Sequence, residues 1–304
     1  MNLSICLCTY RRPQLLEQLL LAVSQLDFGD YRAELVLVDN DPEASGLPVA
    51  HRWQDRLGIP LRALHEPVPN ISQARNASVH HARGEFVLIL DDDEQPVRDW
   101  ARLLMQAQAA HSADVVFGPV LPTFHPETPD WIRDGGFFAP RSHPTGTRVG
   151  PHEGYTSNVL VRRSLALKLP GPFDPAFGRS GGEDVMVFHD LAKLGAVMIW
   201  CDEAAVTEYV PPSRTTLRWV LKRAHWGGEV LVRTRIQRLR GAPRTRLRLR
   251  MGVRAAVQLL VAALAALATS PFSRTRSRLW LRTAASQVGK LRIAAGGTSS
   301  DHAS

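Results

Sequence analysis

The sequence predicts an α/β fold with a mostly parallel sheet flanked by helices, followed by a basic helical region. Over the first 120 residues, short apolar runs alternate with segments of helical period, the pattern of successive βα units. Two of the apolar runs end abruptly in acids, at Asp39 and at Asp91. Charge also divides the chain: residues 1–212 hold 18 Lys/Arg against 27 Asp/Glu, and residues 213–304 hold 19 against two. The net charge of +8 is therefore the sum of an acidic domain at −9 and a basic segment at +17.

Taken in order, Leu3–Cys8 reads as a strand, and Arg12–Leu26 as a helix with Leu15, Leu16, Leu19, Leu20 and Val23 on one face. Glu34–Val38 is a second strand that ends in Asp39-Asn40-Asp41-Pro42. A third strand at Leu61–His65 precedes a helix over Ser72–Arg83, which Gly84 stops. Phe86–Leu90 has the composition of a fully buried strand and runs directly into Asp91-Asp92-Asp93-Glu94. A helix over Val97–His111 and a strand at Val115–Leu121 continue the pattern. Thr123–Gly154, rich in Pro, Gly and His, has no period and reads as a long surface excursion. Tyr155–Val161 is a strand, Pro170–Gly182 an ordered turn region, Asp184–Leu194 a helix stopped by Gly195, and Ala196–Cys201 a strand. Pro211-Pro212 marks the change to Arg-rich composition, giving a division at 1–212 and 213–304.

At 304 residues, 44% hydrophobic and 22% charged, the chain can bury a large core, which excludes global disorder. Cys6, Cys8 and Cys201 are too few for a disulfide framework and lack zinc-ribbon spacing, in keeping with a reducing compartment. The N-terminus enters an apolar run without a basic leader or a small-residue cleavage site, so no signal peptide is expected.

Four consecutive acids at the C-terminal end of a buried strand are the strongest chemical signal. Ligands of open α/β sheets bind at that edge. Clustered carboxylates there repel one another unless a cation neutralises them, and a divalent ion shared with a diphosphate would do so. A solvated turn leading into a helix is the plainer reading. Asp39 ends its strand at the same edge, where it can accept from a base N–H or a ribose hydroxyl, or simply organise a turn. Thr9-Tyr10-Arg11-Arg12 adds a hydroxyl, a stacking ring and two cations, and Arg75 adds a cation on the helix after Asn70-Ile71-Ser72. A second acidic site, Gly181-Gly182-Glu183-Asp184, joins two glycines to a helix start whose dipole favours ionised acids. A carboxylate there can act as general base or merely cap the helix.

Together these segments resemble family 2 glycosyltransferases, inverting enzymes of GT-A fold. The resemblance runs in order through Cys8-Thr9-Tyr10-Arg11-Arg12, Val38-Asp39-Asn40, Asn70 with Ala74-Arg75-Asn76, and Leu90-Asp91-Asp92-Asp93-Glu94. It continues through Ser157-Asn158, Arg162-Arg163, Phe173-Asp174 and Gly182-Glu183-Asp184, and covers about residues 1–212. It implies a nucleotide-sugar donor, usually UDP-linked, bound with Mn²⁺ or Mg²⁺. Carried over, Thr9, Tyr10, Asp39 and Arg75 hold the nucleoside with Arg11 and Asp92 beside them. Asp91 lies on the ribose side, Asp93 takes the metal and diphosphate, and Asp184 deprotonates the acceptor.

Glu208-Tyr209-Val210-Pro211, Ser213-Arg214 and Arg218-Trp219 through Arg223 further resemble succinoglycan-type glucosyltransferases, which extend lipid-linked exopolysaccharide repeats in bacteria. Glu208 and Tyr209 stand where many relatives carry a metal-ligating His, and Thr215 replaces the Gln of the Gln-x-x-Arg-Trp element of processive relatives. Addition of a single sugar is the better fit.

In the basic segment, Ala255–Ala268 is apolar except for Gln258, and its 14 residues reach about 21 Å as a helix. That is short of a hydrocarbon core of about 30 Å. Arginines flank it on both sides, whereas a spanning helix shows that bias on one side. An in-plane segment at the cytoplasmic face of the inner membrane is expected, with a packed soluble helix or a true span as the alternatives, residues 213–295 being drawn to anionic lipid and a lipid-linked glycan serving as acceptor. Two other functions compete. A metal-dependent nucleotidyltransferase shares the acidic strand ends, but a Gly-rich phosphate loop followed by Lys is missing. A nucleic-acid binder would use the arginines, yet the tail interleaves only Trp219, Trp226 and Trp280 and the acidic domain repels phosphate.

Overall fold

The computed structural model describes residues 1–298. Its elements in chain order begin with β1 (Leu3–Thr9), α1 (Pro13–Val23), β2 (Ala33–Asp39), α2 (Leu47–Trp53), β3 (Leu61–His65), α3 (Ile71–His81) and β4 (Phe86–Asp91). They continue with β5 (Glu94–Pro96), α4 (Trp100–His111), β6 (Val115–Phe117), β7 (Val120–Phe124), α5 (Asp130–Arg133), β8 (Asn158–Arg162), α6 (Arg163–Ala166) and α7 (Glu183–Lys193). The last are β9 (Met198–Trp200), β10 (Val206–Val210), α8 (Leu217–Ile236), α9 (Gly241–Thr269) and α10 (Arg274–Ala294).

Seven strands form one sheet in the order β3-β2-β1-β4-β8-β6-β9. The first four are mutually parallel, β8 runs antiparallel to both its neighbours, and β6 and β9 are parallel. The sheet is apolar on both faces, as parallel strands covered on two sides must be. On β1 and β4, Leu3, Ile5, Leu7, Leu88 and Leu90 join a core with Leu16, Leu19, Trp100 and Leu104 of α1 and α4. The alternate residues Cys6, Val87 and Ile89 face a second core with Val79, Phe117, Phe188 and Trp200.

Parallel register has one consequence for function. Thr9 pairs with Asp39 and Cys8 with Asp91, so the polar ends of β1, β2 and β4 lie side by side on one sheet edge. Strand spacing of about 4.8 Å then sets their separation.

Several elements depart from the sequence expectation, among them α2, β5 and β10. The helix α2 arises because the Asp39 carboxylate accepts from the Gly46 and Leu47 N–H groups, a cap supplied from seven and eight residues upstream. The strand β5 lies inside the acidic run and exists by pairing with β10, both in a small sheet of order β5-β10-β7. Neither of these two short strands has an alternating apolar pattern of its own. The expected strand Val115–Leu121 divides at Gly118-Pro119 into β6 and β7, which join different sheets. There the fully buried Asn158 accepts from Trp100 Nε1 at 2.8 Å and donates to the carbonyls of Pro119 and Ala204. A side chain at Gly118 would strike that amide.

The described chain forms two compact units. The first comprises Met1–Pro122, Pro140–Arg179 and Glu183–Tyr209, and the second Thr123–Ala139, Ser180–Gly182 and the chain from Val210 onward. Part of the long excursion thus belongs with the basic helices.

Within the second unit α10 packs against α8 on one side and α9 on the other. Gly228 of α8 and Gly289 of α10 let the two backbones approach closely, and a Cβ at either would collide with the partner's carbonyl. The buried Glu229 carboxylate is neutralised there, accepting from Arg292 at 2.8 Å and lying 3.1 Å from His225 Nε2. The helix α9 is twice the length of the apolar segment that the sequence marks out, because the Arg- and Leu-rich residues before it are also strong helix formers. It is long and apolar enough to cross a membrane by length and composition.

Candidate active site

The site grows from the shared edge of β1, β2 and β4. After β1 the chain turns at Arg11, whose φ of +55° is rare for a side chain with a Cβ. The turn sends Arg12 back over the acids: one Nη1 donates to Asp92 Oδ1 and to Asp93 Oδ2, both at 3.1 Å. The Thr9 hydroxyl donates to the other Asp92 oxygen at 2.8 Å. Burial pushes the Asp92 carboxyl up to about 6, with Arg12 and Thr9 opposing the shift. Glu94, at the end of the run, is buried and accepts from the Asp91 N–H, and burial together with the Asp91 charge raises its pKa well above the usual range. The β5–β10 register places Glu208 opposite Glu94.

Arg75, on the second turn of α3, is 6% exposed and lies between the two acidic sites. Its guanidinium donates to Asp91 at 2.9 Å and to Glu183 at 2.7 Å. Burial opposes its charge, but those two carboxylates prevail and raise its pKa. Burial raises the Glu183 pKa in spite of Arg75. The other Glu183 oxygen is buried without a hydrogen-bond partner. Asn70 holds the start of α3, accepting from the Ser72 and Gln73 N–H groups. Asp184 follows Glu183 at the start of α7 and accepts from the Val185 N–H at 2.7 Å. Gly181 and Gly182 before it have φ of +70° and +101°, so backbone conformation requires them.

The structure thus brings Thr9, Asp92 and Asp93 together through Arg12, and Asp91 and Glu183 together through Arg75. Tyr10 is exposed with the Arg11 guanidinium 5.3 Å from its ring centroid, and Arg11 pairs with Asp41 at 3.0 Å. Asp39 differs from the expectation of a carboxylate offered to a nucleoside. It is fully buried, and its oxygens are taken by the N–H groups of Asp41, Gly46 and Leu47 because the loop after β2 needs a cap. Sequence reasoning assigned no part to Arg12 as a bridge, to Glu183 as the partner of Arg75, or to Glu208 as the neighbour of Glu94. Their partners lie far along the chain, and only the charge type of each was visible.

Among the described residues, no three His, Cys, Asp or Glu side chains converge as a closed metal centre would require. Asp91 and Asp93 remain partly exposed at 38% and 20% of their side chains. One or two open carboxylates of hard oxygen chemistry are the donor set of a cation whose remaining ligands are water and substrate phosphate. The residues present therefore fit a shared divalent ion.

A mostly parallel sheet with an Asp-rich strand end and an acidic helix start is the arrangement of an α/β enzyme that takes its ligand at the sheet edge. The family model described as glycosyl transferase family 2 matches residues 4–167, and the chain belongs to that family. It is 33% identical over 229 residues to the succinoglycan biosynthesis protein ExoM of Rhizobium meliloti (strain 1021), covering 75% of this chain and 74% of that one. Among solved structures, the mannosyltransferase PcManGT from Pyrobaculum calidifontis in complex with GDP-Man and Mn²⁺ has a TM-score of 0.66 at 19% identity, over 96% of this chain and 86% of that one. The TarS 1-349 fragment of S. aureus in complex with UDP has a TM-score of 0.55 at 16% identity, over 97% and 92%. At such identities these two bear on the fold alone.

The raised Asp92 pKa predicts a stability change with a definite sign. The folded state holds its proton up to about pH 6 while the unfolded carboxyl releases it near 3.8, so this group's contribution is full below pH 3.8 and is lost as pH rises from there through 6. Asp92→Asn should remove that slope, and the stability difference between variant and parent should grow by about 2 kcal/mol from pH 4 to pH 7. Denaturant melts of the metal-free protein across that range measure it, and parallel curves would place Asp92 at an ordinary pKa.

Proposed function

We propose that the chain is an inverting glycosyltransferase that moves one sugar, a hexose such as glucose, from a UDP-linked donor to a lipid-linked saccharide in bacterial surface polysaccharide synthesis. The observation that carries this reading is the Arg75 guanidinium, which joins the acidic strand end at Asp91 to the Glu183-Asp184 helix start. A donor at the strand end and a base at the helix start then face one crevice. The printed name of the R. meliloti relative, a succinoglycan biosynthesis protein, supports the polysaccharide context. Residues 1–212 are assigned to catalysis and 213–304 to placement.

In this reading Thr9, Tyr10, Arg11, Asp92 and Arg75 line the nucleotide, Tyr10 offering its exposed ring to the base and Asp39 shaping the adjoining loop. Asp91 lies on the ribose side, and Asp93 holds the divalent ion against the diphosphate. The ion, Mn²⁺ or Mg²⁺, supplies charge stabilisation to the departing diphosphate. Asp184 takes the proton of the acceptor hydroxyl as its oxygen bonds to the anomeric carbon. The bond from that carbon to the diphosphate breaks on the opposite face, UDP leaves with the bonding pair, and the configuration inverts. Arg75 keeps Glu183 and Asp91 paired, so that Asp184 presents its carboxylate to the acceptor.

Membrane placement is supported by the shape of α9. Ala255, Ala262 and Ala266 are its buried face, while Leu249, Val253, Val257, Leu260, Leu264 and Leu267 form an exposed apolar stripe. The helix α10 runs back antiparallel along it, tied by Ser277 to the Ala266 carbonyl and by Arg248 to the Ala294 carbonyl. That partner carries Arg274, Arg276, Arg278, Arg282, Lys290 and Arg292. Crossing the bilayer would carry these charges into hydrocarbon at a cost of about 2.5–3.5 kcal/mol each. Lying in the interface on its apolar stripe, α9 leaves them in the headgroups.

Asp93→Ala should lower divalent-ion-dependent transfer from a UDP-sugar at least 100-fold, and Asp184→Asn should lower transfer equally while UDP binding stays within about twofold. Release of UDP in a donor screen with bacterial membrane extract as acceptor measures both. Full turnover in either variant removes that residue from its role. Replacing Leu260 and Leu264 with Asp should abolish binding to vesicles of anionic lipid. Unchanged flotation with those vesicles would show that the stripe is not the membrane face.

A further inference from the structure

Two guanidiniums stand among the acids at the end of β4, and burial separates them. The Arg75 side chain is 8% exposed and fixed between Asp91 and Glu183. The Arg12 side chain is 43% exposed, and its Nη1 serves Asp92 and Asp93 together, both at 3.1 Å. A buried ion pair cannot be opened without stranding a charge, whereas a pair that water reaches is worth little and is easily exchanged. Arg12 can therefore leave an acid at small cost.

What moves is its side chain alone. Arg12 stands at the start of α1, immediately before Pro13, whose ring fixes the next backbone angle. Before it, Arg11 holds a φ of +55° while its Nε donates at 3.0 Å to Asp41, a carboxylate with 2% of its side chain exposed. A residue keeps that conformation only where its surroundings impose it, and the buried Asp41 does so. Asp92 is secured apart from Arg12, because the Thr9 hydroxyl donates to its other oxygen at 2.8 Å. Turning the guanidinium from Asp93 thus leaves the turn and Asp92 in place.

Charge gives this movement a purpose. Asp93 is the acid assigned above to the divalent ion, and its Oδ2 is the oxygen that Arg12 holds. A divalent ion approaching that carboxylate meets a cation already there, and like charges at such range repel. A diphosphate offers several charged oxygens to the forked guanidinium, a stronger partner than one carboxylate oxygen. Ion and diphosphate arriving together let Arg12 trade Asp93 for phosphate. The ion alone must expel it without compensation.

We propose that Arg12 is a donor-site residue that neutralises Asp93 before the donor arrives and passes to the donor diphosphate when the divalent ion takes Asp93, so that the ion binds well only with the nucleotide. The proposal rests on the glycosyltransferase reading above, which supplies the ion and the diphosphate.

The test uses the full-length chain in detergent and reads no turnover. Mn²⁺ binding is followed through the electron paramagnetic resonance of the free ion, with and without UDP, and UDP binding by calorimetry in saturating Mn²⁺. Without UDP, Arg12→Gln should bind Mn²⁺ at least tenfold more tightly than the parent, a gain that a misfolded chain would not show. Its affinity for UDP in Mn²⁺ should fall at least tenfold. Arg12→Lys restores the charge without the fork, so Mn²⁺ affinity should return to within about threefold of the parent while only part of the UDP affinity is regained. Adding Asp93→Asn to Arg12→Gln should cancel the gain in Mn²⁺ affinity. Unchanged Mn²⁺ or UDP affinity in Arg12→Gln, or a gain that survives the Asp93 substitution, would overturn the proposal. A parent chain that binds neither Mn²⁺ nor UDP would sink the glycosyltransferase reading with it. A parent that binds both, matched by the Arg12→Gln variant, would sink this proposal alone.

Discussion

Arg75 is the hinge of this architecture. A guanidinium that is 6% exposed has lost its water and is tolerable only because two carboxylates replace that solvation. Those carboxylates come from β4 and from the start of α7, about 90 residues apart in sequence, so the ion pair fixes the acidic strand end relative to the acidic helix start. Removal of either partner would strand a buried charge, a much larger penalty than the pair contributes when intact. Capping of α3 by Asn70 and the close pairing of β1 with β4 serve the same end, since both position the atoms that meet at Arg75.

A second set of opposed charges lies a few residues away. Arg12 bridges Asp92 and Asp93 with a single Nη1, and the strained turn at Arg11 delivers it there. The four successive acids are thereby divided into separate environments: Asp91 against Arg75, Asp92 buried under Thr9 and Arg12, Asp93 under Arg12 with 20% of its side chain exposed, and Glu94 buried and biased toward the neutral form. Adjacent carboxylates at one strand end would otherwise repel one another, and their separation leaves Asp93 and Asp91 as the accessible oxygens. The same principle of unlike neighbours governs the basic helices, where buried Glu229 meets Arg292 between two glycines.

The division of charge between a catalytic edge and a basic region is consistent with chemistry at a membrane surface. Acids that would repel an anionic surface are gathered near the sheet, where a nucleotide-sugar and its cation would sit. The arginines and the apolar stripe of α9 are gathered in the other unit.

Local composition was enough to reveal β1, β2, β3, β4 and the helices between most of them, because apolar period is a property of neighbouring residues. It was also enough to mark Asp39 and Asp91–Glu94 as acidic strand ends and Glu183-Asp184 as an acidic helix start, and the family likeness followed from their order. Whether each acid is open or consumed could not be decided that way. Asp39 is spent on the N–H groups of its own loop, Asp92 on Thr9 and Arg12, and Glu183 on Arg75, through contacts set by which strand lies beside which. The short strands β5 and β10 exist by pairing with each other across about 110 residues, and α2 begins at a cap lent by the end of β2. The sequence by itself determined the sheet and the identity of its acidic ends, because burial and periodicity are local. Only the tertiary structure decided which charges neutralise one another, because a buried ion pair depends on the distance between atoms and not on their order along the chain.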